Sequence, residues 1–120
     1  MKLLVVDDSK AMRMIVKRTL RQAGYENCEV DEAENGVEAL GKIKGGSYDL
    51  VLSDWNMPEM NGFEFLQALR QGGSKIPFGF ITTEGTADMR HRAMEAGANF
   101  LLEKPFTPEQ MEATLNPYLG

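Results

Sequence analysis

An apolar run, Leu50-Val51-Leu52-Ser53, stops abruptly at a carboxylate, Asp54, and turn residues follow at once in Trp55-Asn56-Met57-Pro58. Consecutive Leu and Val suit a strand covered on both faces, the habit of parallel sheets. Asn56 and Pro58 break that strand, so Asp54 is predicted at its carboxyl end. In open α/β sheets, ligands bind at that edge.

The rest of the chain repeats this pattern, apolar strand then amphipathic helix, five times in all, which predicts βα units and a parallel sheet. Strand segments are predicted at Lys2 to Val6, Cys28 to Glu32, Asp49 to Ser53, Pro77 to Ile81 and Asn99 to Leu102. The acidic second segment reads as a sheet edge. The first helix starts near Ser9, with Met12, Ile15, Val16, Leu20 and Ala23 on its inner face. Lys10, Arg13, Lys17, Arg18 and Arg21 fall on its outer face, and Gly24 ends it. Asn35 and Asn61 read as caps of the second and third helices, with Glu38 and Glu64 three residues on. Val37, Leu40 and Ile43 would line the second, and Phe63, Leu66 and Leu69 the third. Thr86 caps the fourth, whose inner face of Met89, Ala93, Met94 and Ala96 is small and soft, so weak packing and mobility are expected there. The fifth opens with Thr107, Pro108 and Gln110 as a capping box, and Pro117 is expected to end it. The expected fold is α/β, a five-stranded parallel sheet with helices on both faces.

With 120 residues, 42% hydrophobic, the chain fits one domain over residues 1–120. Its one cysteine, Cys28, cannot form an internal disulfide. The apolar start, Met1 to Val6, is too short for a signal peptide or a membrane span, so a cytoplasmic protein with no membrane partner is expected. A net charge of -5 and a pI near 4.9 argue against nucleic-acid binding, which wants a basic face.

The strand ends together carry Asp7 and Asp8, Asp54, Thr82 and Lys104. If the strand order is 2-1-3-4-5, strands one and three flank the point where the winding reverses, and their three carboxylates converge there. Such repulsion is relieved by protonation or by a divalent cation. Oxygens without His or Cys favour a hard ion such as Mg²⁺. A carboxylate beside Mg²⁺ can attack phosphorus to give an acyl phosphate, with an amine and a hydroxyl on the phosphoryl oxygens. Asp54, Lys104 and Thr82 fit those roles.

Each residue alone has a plainer reading. Asp7-Asp8 suit a strand-to-helix turn, Asp54 an Asx turn before Pro58, Thr82 a strand end and Lys104 a solvated surface charge. Their joint placement at four strand ends defeats those readings. His91, in Arg90-His91-Arg92, reads as a solvated helix face, and Trp55 as a partly exposed neighbour of the site.

Val5-Val6-Asp7-Asp8-Ser9, Ser53-Asp54-Trp55-Asn56-Met57-Pro58, Asn61-Gly62, Ile81-Thr82-Thr83-Glu84, Ala96-Gly97-Ala98 and Lys104-Pro105-Phe106, in that order over essentially the whole chain, resemble a CheY-like response-regulator receiver domain. That resemblance implies a flavodoxin-like doubly wound fold with strand order 2-1-3-4-5 and a phosphoryl group passed to Asp54 from a histidine kinase or phosphotransfer protein. It implies Mg²⁺ held by Asp8, Asp54 and the backbone carbonyl of Asn56, with Asp7 acting through a metal-bound water, and phosphoryl oxygens bound by Thr82 and Lys104. A cis Lys104-Pro105 peptide is implied as well. The segment Asp54 to Pro58 is closest to single-domain chemotaxis regulators that bind the flagellar motor switch. Asn56 and Glu84 occupy positions that in the family tune autodephosphorylation.

One departure stands out: Leu101 occupies the position where many receivers carry a Tyr or Phe that swings inward, and Phe100 lies one place earlier. A one-residue shift in a strand turns a side chain to the opposite face, so the Thr-to-aromatic switch is expected to be absent or rebuilt. The leading expectation is a switch that changes protein binding at the face formed by helix four, strand five and helix five. Rival expectations are a sink or relay that drains a kinase, and a phosphorylation-independent binding module. There is no P-loop and no G-x-G-x-x-G after strand one to favour a nucleotide enzyme.

Overall fold

Strands and helices alternate along residues 1–119, the part of the chain that the computed structural model describes. The strands are β1 (Lys2–Val6), β2 (Glu29–Ala33), β3 (Leu50–Ser53), β4 (Phe78–Thr82) and β5 (Phe100–Glu103). The helices are α1 (Lys10–Gln22), α2 (Gly36–Gly45), α3 (Gly62–Gln71), α4 (Ala87–Glu95) and α5 (Pro108–Leu119). All strand pairs are parallel, and the sheet order is β2-β1-β3-β4-β5, as the sequence predicts. Val6 pairs with Ser53, so Asp7 and Asp54 follow at the same level on neighbouring strands. Thr82 pairs with Glu103, which brings Lys104 to that same edge.

Because a strand's side chains alternate between faces, β1 and β3 feed two cores. Leu4, Val6 and Val51 join Phe65, Leu66, Phe78 and Phe80 on the α3 side. Leu3, Val5, Leu50 and Leu52 join Val16, Leu20, Met111 and Leu115 on the α1 and α5 side. Both faces are dry, which is why these strands read as unbroken apolar runs. Gly79 is required where it stands: a Cβ there would run into the Phe100 ring, which lies over it from β5.

Three strands are displaced from their apolar patterns. β2, β4 and β5 begin and end one residue later, because the parallel ladder takes in Ala33, Thr82 and Glu103 whatever their polarity. The caps stand where expected. Asn61 and Glu64 make a reciprocal box at α3, Ser9, Asn35 and Thr86 cap α1, α2 and α4, and Thr107 and Gln110 exchange two hydrogen bonds at α5.

Several side chains lie elsewhere than periodicity places them. In α1, Arg13 and Thr19 are buried with Val16 and Leu20, while Ile15 is 41% exposed; ionic partners across the fold, described below, draw Arg13 inward and turn the helix. Val37 and Met94 are both 53% exposed, since α2 buries Gly36 and Ala39 and α4 buries only Ala93. Pro117 does not end α5 but lies within it. Its missing N–H costs one helical bond, yet the buried stripe Met111, Leu115 and Leu119 holds the last turn in place. Among the described residues, no helix is long and apolar enough to cross a membrane.

Candidate functional site

The site begins where β1 ends. Asp7 N–H donates to the Ala33 carbonyl (3.0 Å), extending the ladder with β2 by one residue. The Asp7 carboxylate is buried, and its Oδ1 accepts from Ser9 N–H (2.9 Å). Ser9 in turn caps α1 by accepting from Met12 N–H (3.2 Å). One loop therefore orients an acid and starts a helix at once.

Arg13, one turn into α1, reaches back to this loop. Its Nη1 donates to the Asp7 backbone carbonyl (2.6 Å) and its Nε to Glu32 Oε1 (2.9 Å). Lys17 Nζ lies 3.2 Å from the other Glu32 oxygen. The Arg13 hydrogen bond is the main reason that the Glu32 carboxyl titrates below its ordinary range.

At the end of β3, Asp54 N–H donates to the Val6 carbonyl (2.9 Å), and Asp54 Oδ1 accepts from Trp55 N–H (2.8 Å). The chain then doubles back: Gly62 N–H donates to the Trp55 carbonyl (2.8 Å), and a Cβ at Gly62 would collide with the Asp54 carbonyl. Only glycine allows α3 to start that close to the site.

Lys104 arrives from β5, its N–H bonded to the Thr82 carbonyl (2.7 Å) and its peptide bond to Pro105 cis, as expected. Its Nζ lies 3.5 Å from Asp7 Oδ2 and 3.8 Å from Asp54 Oδ1. Carboxylate oxygens of Asp7, Asp8 and Asp54 lie within 4.8 Å of one another. Burial raises the Asp54 carboxyl above its ordinary range first of all; Lys104 opposes that, Asp7 raises it further, Trp55 N–H opposes it and Asp8 adds to it. Three crowded carboxyls with one amine hold more negative charge than Lys104 balances, and oxygens without His or Cys are the donor set of a hard cation. The cluster can hold a metal ion.

The structure thus brings Asp7, Asp8, Asp54 and Lys104 together. Asn56 is exposed in the loop beyond β3. Thr82 is fully buried at the end of β4, and its Oγ1 accepts from Glu84 N–H (3.2 Å). Two features escape the sequence reading. Arg13 sits at i and i+3, i+7 with Val16 and Leu20, a spacing that marks the inner stripe despite its charge. Trp55 is only 7% exposed, not a half-open neighbour of the site. It continues the Val51, Ser53 alternation onto the α3 face, where its ring lies 4.6 Å from Phe80 and 5.4 Å from Phe63. The Arg92 guanidinium of α4 caps this pair, 4.9 Å from Phe63 and 5.8 Å from Trp55.

On the β5 rim, Leu101 is buried in the α3-side core, whereas Phe100 faces the other side and packs 5.5 Å from Tyr118. The one-residue shift does place leucine and aromatic on opposite faces. Arg90 of α4 spans the rim, donating to the Gly85 and Leu101 carbonyls (3.3 and 3.2 Å) and to Glu103 (3.3 Å).

Over residues 3–116 the chain matches the family described as the response regulator receiver domain. It is 47% identical to the chemotaxis protein CheY1 of Helicobacter pylori, over 100% of this chain and 98% of that one. A chemotaxis protein CheY homolog of Campylobacter jejuni is 43% identical, over 100% and 93% of the two chains. Among solved structures, chemotaxis protein CheY4 of Vibrio cholerae aligns with a TM-score of 0.85 at 42% identity, covering 98% of each chain.

Proposed function

This chain belongs to the response regulator receiver family and serves two-component signalling, and from that premise we propose that Asp54 is its phosphoryl acceptor, with residues 1–120 working as one receiver domain. The observation that carries the reading is the placement of Asp54 beside Asp7, Asp8 and Lys104 at the crevice between β1 and β3. Those neighbours form one electrostatic frame: acids that want a cation, and an amine held within reach of incoming phosphoryl oxygens.

In the proposed reaction an Asp54 carboxylate oxygen forms a bond to phosphorus. The phosphorus–nitrogen bond of a phosphohistidine donor breaks, and its electron pair leaves with the imidazole nitrogen. Asp8, Asp54 and the backbone carbonyl of Asn56 are the residues that would hold Mg²⁺, with Asp7 reaching it through water. Bound there, Mg²⁺ supplies charge neutralisation for the carboxylates and the phosphoryl oxygens. Lys104 offsets the same charge from the β5 side. Thr82 gives up Glu84 N–H and turns its hydroxyl to a phosphoryl oxygen. Asn56 and Glu84 border the path of the water that later removes the group.

The proposed partners are a histidine kinase or phosphotransfer protein upstream and a protein target downstream, in the cytoplasm. The names of the Helicobacter and Campylobacter relatives favour chemotaxis, and the flagellar motor switch is the proposed target. Intact mass after incubation with Mg²⁺ and a small phosphodonor tests the chemistry. One added phosphoryl group is expected on the native chain, and none on Asp54→Asn or with a chelator. A phosphorylated Asp54→Asn chain would mean another acceptor.

A second reading, a sink that drains a kinase, draws on Leu101, which offers the β5 rim no aromatic ring to move inward. Target affinity unchanged by Asp54 phosphorylation would favour the sink over the switch.

A further inference from the structure

Arg13 does something that a helix-surface arginine does not. Its side chain is only 9% exposed, and it forks between a main-chain oxygen of the acid loop and a carboxylate on the edge strand β2. We propose that Arg13 is a positioning residue for the cation-binding carboxylates, clamping the Asp7 carbonyl against Glu32 so that Asp7 and Asp8 leave the backbone in a fixed direction. The inference rests on the reading of the site as a cation-assisted phosphoacceptor.

The clamped carbonyl belongs to the peptide that links Asp7 to Asp8. Fixing that planar unit limits the directions from which both carboxylates can depart. The loop is already held by Asp7 N–H on Ala33 and by Ser9 N–H on Asp7 Oδ1; Arg13 adds a hold on the Asp7 carbonyl. Glu32, with Lys17 on its second oxygen, keeps the guanidinium from rotating away. Packing alone gives no reason for an arginine at this place. A buried ion pair is often replaced by apolar side chains of similar volume at no loss of stability, and Val16 and Leu20 already supply an apolar neighbourhood on the same stripe. Groups that orient metal ligands without touching the metal do, by contrast, govern affinity by about 10–100-fold.

Charge makes the test decisive. Arg13 is a cation near a cation site, so simple electrostatics predicts that deleting it tightens Mg²⁺ binding. Positioning predicts the reverse. Calorimetric Mg²⁺ titration of the wild type, Arg13→Met and Arg13→Lys, with Tm measured in the absence of metal, separates the two. We expect the dissociation constant to rise about tenfold in Arg13→Met and by a smaller factor in Arg13→Lys, which keeps the charge but gathers its donors on one nitrogen and loses the planar fork that reaches both acceptors. At saturating Mg²⁺, labelling of Asp54 by a small phosphodonor should return close to the wild-type level. An unchanged or tightened constant in both variants, with only Tm altered, overturns the proposal and leaves Arg13 structural. Should Arg13→Met fail to fold, Arg13→Lys decides alone, since an unchanged constant there has no positioning explanation. A wild type that binds no Mg²⁺ overturns the phosphoacceptor reading itself, and this inference with it.

Discussion

Over β1 and β3, the acids Asp7 and Asp54 are tied to backbone N–H groups and faced by Lys104, and Arg13 fastens the loop from behind. Over β4 and β5, the Thr82 hydroxyl rests on a local N–H, Leu101 fills the place of a mobile ring, and α4 sits on the rim with one buried residue. The reacting half is set in advance, whereas in the other half, though β4 is buried throughout, α4 is lightly held. Elements with few buried apolar contacts open at lower free energy than the core. A phosphoryl group would therefore do its chemistry in the rigid half and move the loose one.

The contrast is tested first in stability. Leu66 of α3 is fully buried, so Leu66→Ala should cost about 3 kcal/mol by transfer and cavity terms. Met94 on α4 is half exposed, and Met94→Ala should stay within about 0.5 kcal/mol of wild type. Urea unfolding measures both. Equal losses would mean that α4 is packed as firmly as α3.

Next comes the rim itself. Leu101→Tyr asks whether this fold has room for the ring it lacks. The leucine is enclosed by the α3-side core, so the larger side chain should cost about 1–3 kcal/mol through overpacking. A variant that unfolds at the wild-type urea concentration would reveal a vacant slot and strengthen the switch against the sink.

That same region shows why some of the molecule is readable from its sequence and some is not. The strand positions and the carboxyl-end residues follow from apolar runs that stop at a charged or turn residue, as at Val6-Asp7 and Ser53-Asp54, because strands dry on both faces leave no polar alternation to confuse the reading; the lateral order of the strands is carried by the family resemblance. Arg13 defeats that logic. Its charge suggests solvent, and burial is made possible by the Asp7 carbonyl and by a counter-charge, Glu32, nineteen residues away on β2. Trp55 is misjudged for a related reason: a residue in a turn is read as open to water, but the alternation from Val51 carries its ring under Arg92. Pro117 is read as a stop because the local rule ignores the buried leucines on either side of it.

A subtler comparison sets two carboxyls with opposite displacements against each other. Burial, with Asp7 and Asp8 adding to it, holds the Asp54 carboxyl above its ordinary range, so without metal the folded chain takes up that proton more readily than the unfolded one. Its favourable contribution is complete below the ordinary carboxyl range of about 4 and is lost as pH rises through the raised value. Asp54→Asn removes the repulsion, and its Tm at pH 7 should exceed that of the metal-free wild type by the equivalent of about 1 kcal/mol, the gap closing as pH falls toward 4. Glu32 is displaced downward by Arg13, so its contribution is present above the ordinary range and fades as pH falls through the lowered value. Thermal scans across pH, with and without Mg²⁺, report both; a gap that widens in acid would reverse the assignment for Asp54.

The smallest effect should come from Arg90. Its guanidinium bonds to the Gly85 and Leu101 carbonyls and to Glu103, but both charged side chains are about half exposed. Exposed pairs contribute roughly 0–1 kcal/mol and are screened by salt. Arg90→Gln should therefore cost under about 1 kcal/mol, and less as salt is raised. If α4 is held to β5 chiefly by this bridge, hydrogen exchange in α4 should quicken in the variant while β1 and β3 stay unchanged. Equal quickening in all three would mean that α4 opens only with the whole domain, and the two halves would then be one unit.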